Sequence, residues 1–235
     1  MGSETVADRV REILDRIAAA EARAGRDSGE VTLCAVTKTF PATRVEEAAA
    51  AGATNVGENK VQEAEAKKPA VGNSEALRWH LIGHLQGNKA RRAVELFDVI
   101  QTVDSVKLAE RIDRLAGELG RAPTLLIQVD LASEPTKAGA REEEVAPIAA
   151  YLDRSRHVRL AGLMAIPPFF EDPERVRPYF RQLRALRDRI NDSGMLARPL
   201  SELSMGMSHD FEVAVQEGAT IVRVGSAIFG PRGGE

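Results

Sequence analysis

Val31-Thr-Leu-Cys-Ala-Val-Thr-Lys-Thr-Phe40 is an apolar run that ends in a lysine and is followed at once by Pro41. The run reads as a buried strand and the proline as the start of a helix. Lys38 therefore stands where a core strand gives way to a loop. A lysine is seldom fully buried unless something pairs with it. Desolvation at such a place lowers its pKa, and the neutral amine can attack a carbonyl to form a Schiff base. The position equally suits a lysine that lays its stem along apolar surface and keeps its ammonium in water.

Working outward, the strand-then-helix unit recurs. Apolar β-like runs fall near 31–37, 53–57, 79–83, 98–103, 124–131, 158–166, 200–205 and 221–229. Helical patterns lie between them, at 44–51, 88–96, 106–119, 142–152, 173–191 and 210–217. An opening helix is expected over 4–24, where Val6, Val10, Ile13 and Ile17 recur at helical spacing and Gly25 gives a stop signal. Alternation of this kind argues for parallel strands joined by crossover helices. Eight units without an obvious linker predict one α/β domain over 1–235, a closed (β/α)8 TIM barrel, with an open doubly wound sheet as the alternative. Residues 1–28 form an extra N-terminal helix packed on the barrel, and 231–235 a frayed tail.

Composition limits the function classes. The chain has 235 residues, of which 43% are hydrophobic and 29% charged, as in ordinary globular proteins. A balance of 32 basic against 35 acidic residues, net charge -3, argues against a general nucleic-acid or membrane-surface binder. Cys34 is the only cysteine, which excludes an intrachain disulfide and a thiol cluster for a metal; it reads as a small buried hydrophobe. No signal peptide or long apolar segment is seen, and Val6 occupies the position a myristoylation pattern needs for Ser or Thr; a cytoplasmic location is the default expectation.

In such barrels active sites form at the C-terminal strand ends. The second run exits at Gly57-Glu58-Asn59, the third at His80-Leu-Ile-Gly-His84, the fourth at Asp104 and the fifth at Asp130. The sixth exits at Met164-Ala-Ile-Pro-Pro168, the seventh at Ser204-Met-Gly-Met-Ser208 and the eighth at Arg223-Val-Gly-Ser226. Loops after the last two strands often hold phosphate. Ser204, Met205 and Gly206 with Gly225 and Ser226 have the right makeup, since glycine lets amides approach an anion and serine adds a donor. The same glycines also suit plain tight turns. Arg223, pointing inward, would add a fixed charge. His80 and His84 could be zinc ligands but lack a clear third, so core or supporting roles are expected. Asp104 and Asp130 could be general bases or helix caps, Glu58 and Asn59 could touch a ligand or cap a helix, Trp79 reads as core, and Arg91, Arg92 and the Arg-rich stretch 175–189 as solvated helix faces.

These residues carry a resemblance. Ala35-Val-Thr-Lys38, Gly57-Glu-Asn59 with Val61-Gln-Glu63, Trp79-His-Leu-Ile-Gly83 with Leu85-Gln86 and Asn88-Lys89, Thr136-Lys-Ala-Gly139, Gly162-Leu-Met-Ala-Ile-Pro167, Leu203-Ser-Met-Gly-Met-Ser208-His-Asp210 and Arg223-Val-Gly-Ser-Ala-Ile-Phe-Gly230 span almost the whole chain in order. The chain resembles the pyridoxal-phosphate homeostasis proteins, the YggS/PROSC family, whose fold is an alanine-racemase-like barrel without the C-terminal β domain. His84 and Gly87 are small departures away from the cofactor positions.

The resemblance implies that Lys38 holds pyridoxal 5′-phosphate as a covalent aldimine and that Ser204, Gly225 and Ser226 hold the phosphate. It also places Arg223 at the pyridine nitrogen and Asn59 and Met205 beside the ring. An arginine there cannot accept the nitrogen's proton, which makes the ring a weaker electron sink than an aspartate would. It further implies a monomeric binding protein of intracellular cofactor homeostasis, buffering pyridoxal phosphate or delivering it to apo-enzymes by transient contact, without robust catalysis. A racemase needs an acid/base on each face of its substrate. The second base is expected to be missing, because Tyr151 and Tyr179 fall in helical patterns away from the rim. The alternatives are an amino-acid racemase that uses Lys38 and one other group, and an aldolase in which Lys38 bonds a sugar phosphate directly.

Overall fold

A computed structural model of the chain describes residues 4–132 and 138–230. The expected tail at 231–235, the first three residues and the Thr136-Lys137 part of the fourth motif lie outside the described residues. The elements are α1 (Val6–Arg23), β1 (Thr32–Val36), α2 (Ala42–Ala50), β2 (Asn55–Glu58), α3 (Val61–Lys67), β3 (Arg78–Leu81), α4 (Ala90–Leu96), β4 (Val99–Val103) and α5 (Val106–Leu119). They continue with β5 (Thr124–Val129), α6 (Glu142–Asp153), β6 (Arg159–Ala165), α7 (Arg177–Asp192), β7 (Glu202–Met207), α8 (Phe211–Gln216), β8 (Ile221–Val224) and α9 (Ser226–Phe229). The eight strands are parallel and close in sequence order, β8 pairing with β1, so the closed barrel stands and the open sheet does not. Among the described residues no helix is long and apolar enough to cross a membrane.

Two elements differ from the sequence reading. The run at 221–229 is a four-residue strand followed, after Gly225, by the single helical turn α9. Apolar residues cannot tell a strand from a buried helical turn by periodicity alone. The short α3 was not among the expected helices; with seven residues it spans only about two turns.

Alternation along the strands sorts the side chains into two clusters. One face of each strand packs with the helices in a large outer core that includes Trp79, Phe97, Phe180 and Phe211. A small inner cluster of Cys34, Val99, Leu126, Ala161, Met164 and Ile221 plugs the barrel. Cys34 is buried as expected, and desolvation pushes its thiol up to about 12, so it is neutral and inert.

The N-terminal helix α1 is fixed by a capping box at Thr5 and Asp8 and buries Val6, Val10, Ile13 and Ile17. Arg16 joins it to α8 through Glu212 and lies over the Phe211 ring. The arginines of α7 are not all solvated. Arg177, Arg181 and Arg184 converge on the buried Glu217 carboxylate just after α8, and Arg177 is only 20% exposed.

The exits of β1 and β2 are clamped together. The buried Glu58 carboxylate accepts from Thr37 Oγ1 at 2.6 Å and from Lys67 Nζ at 2.5 Å, and Lys67 also donates to the Thr37 carbonyl at 2.7 Å. Burial outweighs the attraction of Lys67 and pushes the Glu58 carboxyl up to about 7.

Two outcomes follow from this architecture. A methyl on Gly162 of β6 would fall 1.8 Å from the Glu202 carbonyl oxygen of β7. Gly162→Ala is expected to cost about 3 kcal/mol in urea unfolding, whereas an undiminished transition midpoint would show that the two strands can separate freely. Glu58 keeps its proton in the folded chain at a pH where the unfolded chain has released it. Folding then takes up a proton, and this group's contribution to stability falls as pH rises from 4.5 to about 7. The difference in stability between parent and Glu58→Gln, measured by urea titration across that window, should therefore change with pH; a flat difference would mean that Glu58 titrates normally.

Candidate functional site

The strand exits surround a cavity of about 630 Å³ at the C-terminal mouth of the barrel. Its lining draws on Val36 at the end of β1 and Lys38 beyond it, Asn59 after β2, Ile82, Gly83 and His84 after β3, Gln128 on β5 and Asp130 just after it. The other side is built from Ile166 and Phe169 after β6, Met207 to Asp210 at the end of β7, and Arg223, Gly225 and Ser226 at the end of β8. The volume lies within the range of small-molecule sites.

Lys38 sits half-buried in the turn two residues beyond β1. The next residue, Thr39, has φ 69°, the one positive value at a non-glycine among the described residues. A β-branched residue rarely adopts this conformation, and strain of this sort persists only where the surroundings impose it. Here the Thr39 amide donates to Glu63 on α3 at 3.1 Å and Thr37 is clamped by Glu58 and Lys67, so both neighbours of Lys38 are fixed. Phe40 packs on Phe229 of α9, ring centres 5.1 Å apart, and ties the β1 exit to the β8 exit.

Across the mouth, Ser208 is the serine of the β7 exit that reaches the cavity. Its hydroxyl accepts from the amides of Gly225 at 3.1 Å and Ala227 at 3.3 Å, which gathers the first turn of α9 against the end of β7. Ser226 opens that turn and lines the cavity. Gly225 is required by proximity: a methyl there would lie 3.2 Å from Val36 Cβ and from the Val36 carbonyl oxygen. Asp210 closes the β7 exit by accepting from the Met207 amide at 2.6 Å, and burial raises its pKa.

Lys38, Asn59, Arg223, Gly225 and Ser226 thus come together on one cavity, whereas Ser204, Met205 and Gly206 do not line it. Ser204 lies deeper, inside β7 and wholly buried, with its hydroxyl between Arg223 and Gln101. Met205 points the other way, into the outer core. Gly206, at φ 91°, lets α8 approach, since a methyl would be 2.5 Å from Ala214 Cβ. Of this segment it is Met207 and Ser208 that line the cavity. The register of β7 against β8 shifts between Ser204 and Met207, and a bulge cannot be read from residue types alone.

Arg223 does point inward and is buried. It donates to Ser204 Oγ at 2.6 Å and to the Ala165 carbonyl at 2.8 Å, and desolvation pushes its pKa down to about 10. His80 is buried too, with both ring nitrogens engaged by Gln101 and Asn55. Burial pushes it down to about 3, so it is neutral. No group of three His, Cys, Asp or Glu suited to a metal occurs among the described residues. Asp104 pairs with His84 at 3.3 Å, while Ser105 caps α5. Asp130 lines the cavity and accepts from the Ala132 amide. Sequence reasoning also passed over Gln128, whose Nε2 donates to Ala138 while its Oε1 is buried with no partner among the described residues. It passed over Phe169 as well, 71% exposed at the rim beside His209. Tyr151 and Tyr179 lie on α6 and α7 and do not line the cavity.

Residues 10–233 match the family described as alanine racemase, N-terminal domain. A pyridoxal phosphate homeostasis protein of Aquifex aeolicus is 41% identical over 225 residues, covering 96% of this chain and 97% of that one. The solved structure of PipY from Synechococcus elongatus with PLP bound superposes with a TM-score of 0.82 at 43% identity, covering 93% of this chain and 100% of that chain. An alanine racemase of Clostridium difficile, at 15% identity and a TM-score of 0.73 over 61% of its length, shares the fold. On its sequence, its closed barrel and these likenesses, the chain belongs to the alanine racemase N-terminal domain family, in the branch of the pyridoxal phosphate homeostasis proteins.

Proposed function

We propose that the protein binds pyridoxal 5′-phosphate in the mouth of the barrel and serves its homeostasis in the cytoplasm, storing it and passing it to apo-enzymes by transient contact. One observation carries this reading. An amine at the β1 exit and an anion cradle at the β7 and β8 exits share one cavity, with a buried cation, Arg223, in its wall. All of these groups come from a single chain, which supports a monomer as the working unit. The PLP-bound relative, similar over its whole length, supports the same ligand.

The residues present fit the group. Ser208, Gly225 and the Ser226 amide offer donors suited to a phosphate. Asn59 and Ile82 provide a wall suited to the ring. The buried Gln128 Oε1, without a partner among the described residues, is a polar atom suited to a ligand. Bound pyridoxal phosphate supplies an aldehyde that reacts reversibly with amines and a ring that withdraws electrons. Lys38 provides the amine, on a turn held at both neighbouring residues. Arg223 can donate but not accept, so it offers the ring nitrogen a hydrogen bond and cannot take a proton from it. Neither tyrosine lines the cavity, and the PLP-bound relative is similar over its whole length, which together favour a reversible tether over racemisation.

Two measurements test this. The purified protein should develop a visible absorption band on addition of pyridoxal phosphate, and borohydride reduction should add the cofactor's mass at Lys38. Lys38→Ala should lose both. A parent protein that never develops the band, or an adduct with the mass of a sugar phosphate, would sink the proposal. Ser208→Ala should weaken binding of pyridoxal phosphate about tenfold, as expected for lost bonds to a charged group, and leave binding of phosphate-free pyridoxal unchanged. Equal loss for both ligands would remove Ser208 from the phosphate site.

A further inference from the structure

Inside the barrel, five side chains form one continuous line of hydrogen bonds. Arg223 Nη1 donates to Ser204 Oγ at 2.6 Å, and Ser204 Oγ donates to Gln101 Oε1 at 2.6 Å. Gln101 Nε2 meets His80 Nδ1 at 2.8 Å, and His80 Nε2 meets Asn55 Oδ1 at 3.0 Å. Arg223, Ser204, Gln101 and His80 are all buried. Asn55 is the first residue of β2, so the line runs from the cavity wall to the opposite end of the barrel.

The direction of every bond follows from the first. A guanidinium can only donate, so Ser204 must accept from it and aim its own proton elsewhere. The atom that receives that proton must be the Gln101 carbonyl oxygen. The Gln101 amide nitrogen then faces His80, whose Nδ1 must be the acceptor, which puts the ring proton on Nε2 and makes Asn55 Oδ1 the last acceptor. The Asn55 amide nitrogen is correspondingly turned to Thr54 Oγ1 at 3.2 Å. Every dipole in the line presents its negative end toward Arg223.

We infer that Ser204, Gln101 and His80 are positioning residues for the cofactor site: an oriented, neutral line that keeps the buried Arg223 charged and aimed at the cavity without a carboxylate hydrogen-bonded to it. The inference rests on the pyridoxal phosphate reading above. Burying an unpaired cation is costly, and oriented hydrogen bonds are one way to offset that cost. A bonded carboxylate would also do so, but it would remove the net charge that an anionic ligand meets. The groups around Arg223 agree. Asp210 attracts Arg223 only through space, its carboxylate being bonded to the Met207 amide and not to the guanidinium, while Cys34 is a neutral thiol and His80 a neutral imidazole, as the line requires.

The test compares parent, His80→Gln, His80→Leu and Gln101→Glu, with thermal unfolding to confirm that each is folded. Glutamine at 80 can still accept from Gln101 and donate to Asn55; leucine can do neither. His80→Leu should bind pyridoxal phosphate about tenfold more weakly and shift its visible band, and His80→Gln should restore most of both. Gln101→Glu, which brings a negative charge to the line, should weaken binding at least as much. Folded His80→Leu and Gln101→Glu proteins with the parent's affinity and band would overturn the inference while leaving the cofactor reading intact; a parent without a band would overturn that reading instead. Nitrogen NMR of His80 in ligand-free parent protein gives an answer should a variant not fold. The expected result is a neutral ring protonated at Nε2 from pH 8 to pH 5, and a ring protonated at Nδ1, or a cation in that range, overturns the proposal.

Discussion

A guanidinium buried inside a closed barrel is the constraint around which this molecule is arranged. Arg223 contacts no carboxylate by hydrogen bond among the described residues; it is held by a serine hydroxyl and by the carbonyl of Ala165. A charge so placed is tolerable only where fixed dipoles replace water. The barrel supplies them from different directions: β6 gives a carbonyl, β7 a hydroxyl, and β4, β3 and β2 the amide, imidazole and amide behind it. Directly against this polar line lies the small apolar plug of Cys34, Val99, Leu126, Ala161, Met164 and Ile221. The interior is therefore divided, apolar on one part and crossed by a line of hydrogen bonds on the other, and the charge stays where a ligand at the mouth can meet it.

The lysine side of the site depends on a different kind of fixation. Lys38 follows the strand rather than lying in it, and its turn contains the strained Thr39. That turn is held from outside the cavity by Glu63, Lys67 and the buried Glu58, all contributed by β2 and α3. The two chemically important groups are thus set by two separate networks. One crosses the barrel interior behind Arg223, and the other grips the rim on either side of Lys38. The cavity lies between them.

Much of this was legible in the sequence. The eight apolar runs gave the barrel because a β/α alternation with a buried sheet leaves a coarse pattern that survives uncertainty about boundaries. Lys38, Asn59, Arg223, Gly225 and Ser226 were legible because residues of their types stand at strand exits. Ser204, Met205 and Gly206 stand at the same exit yet do not line the cavity, for one reason. On a strand, a single step turns a side chain from the interior to the helix layer, and a bulge changes that count without any mark in residue type. Ser208 stood in the same motif and was passed over. Glu58 and His80 looked like possible ligands, yet both are engaged by partners far away in the chain, at Lys67, Gln101 and Asn55.

The sequence by itself determined the fold and the family, and it placed a lysine at the exit of the first strand, because these depend on periodicity and on residues read in order along one strand. Only the tertiary structure decided which serine faces the cavity and which one backs Arg223. Only the folded barrel, too, brings residues from five strands into one line and fixes the direction of every proton in it. The reason is that hydrogen-bond polarity is set by contact with a group that cannot accept, and such contacts join positions as far apart as Gln101 and Ser204, which no local pattern connects.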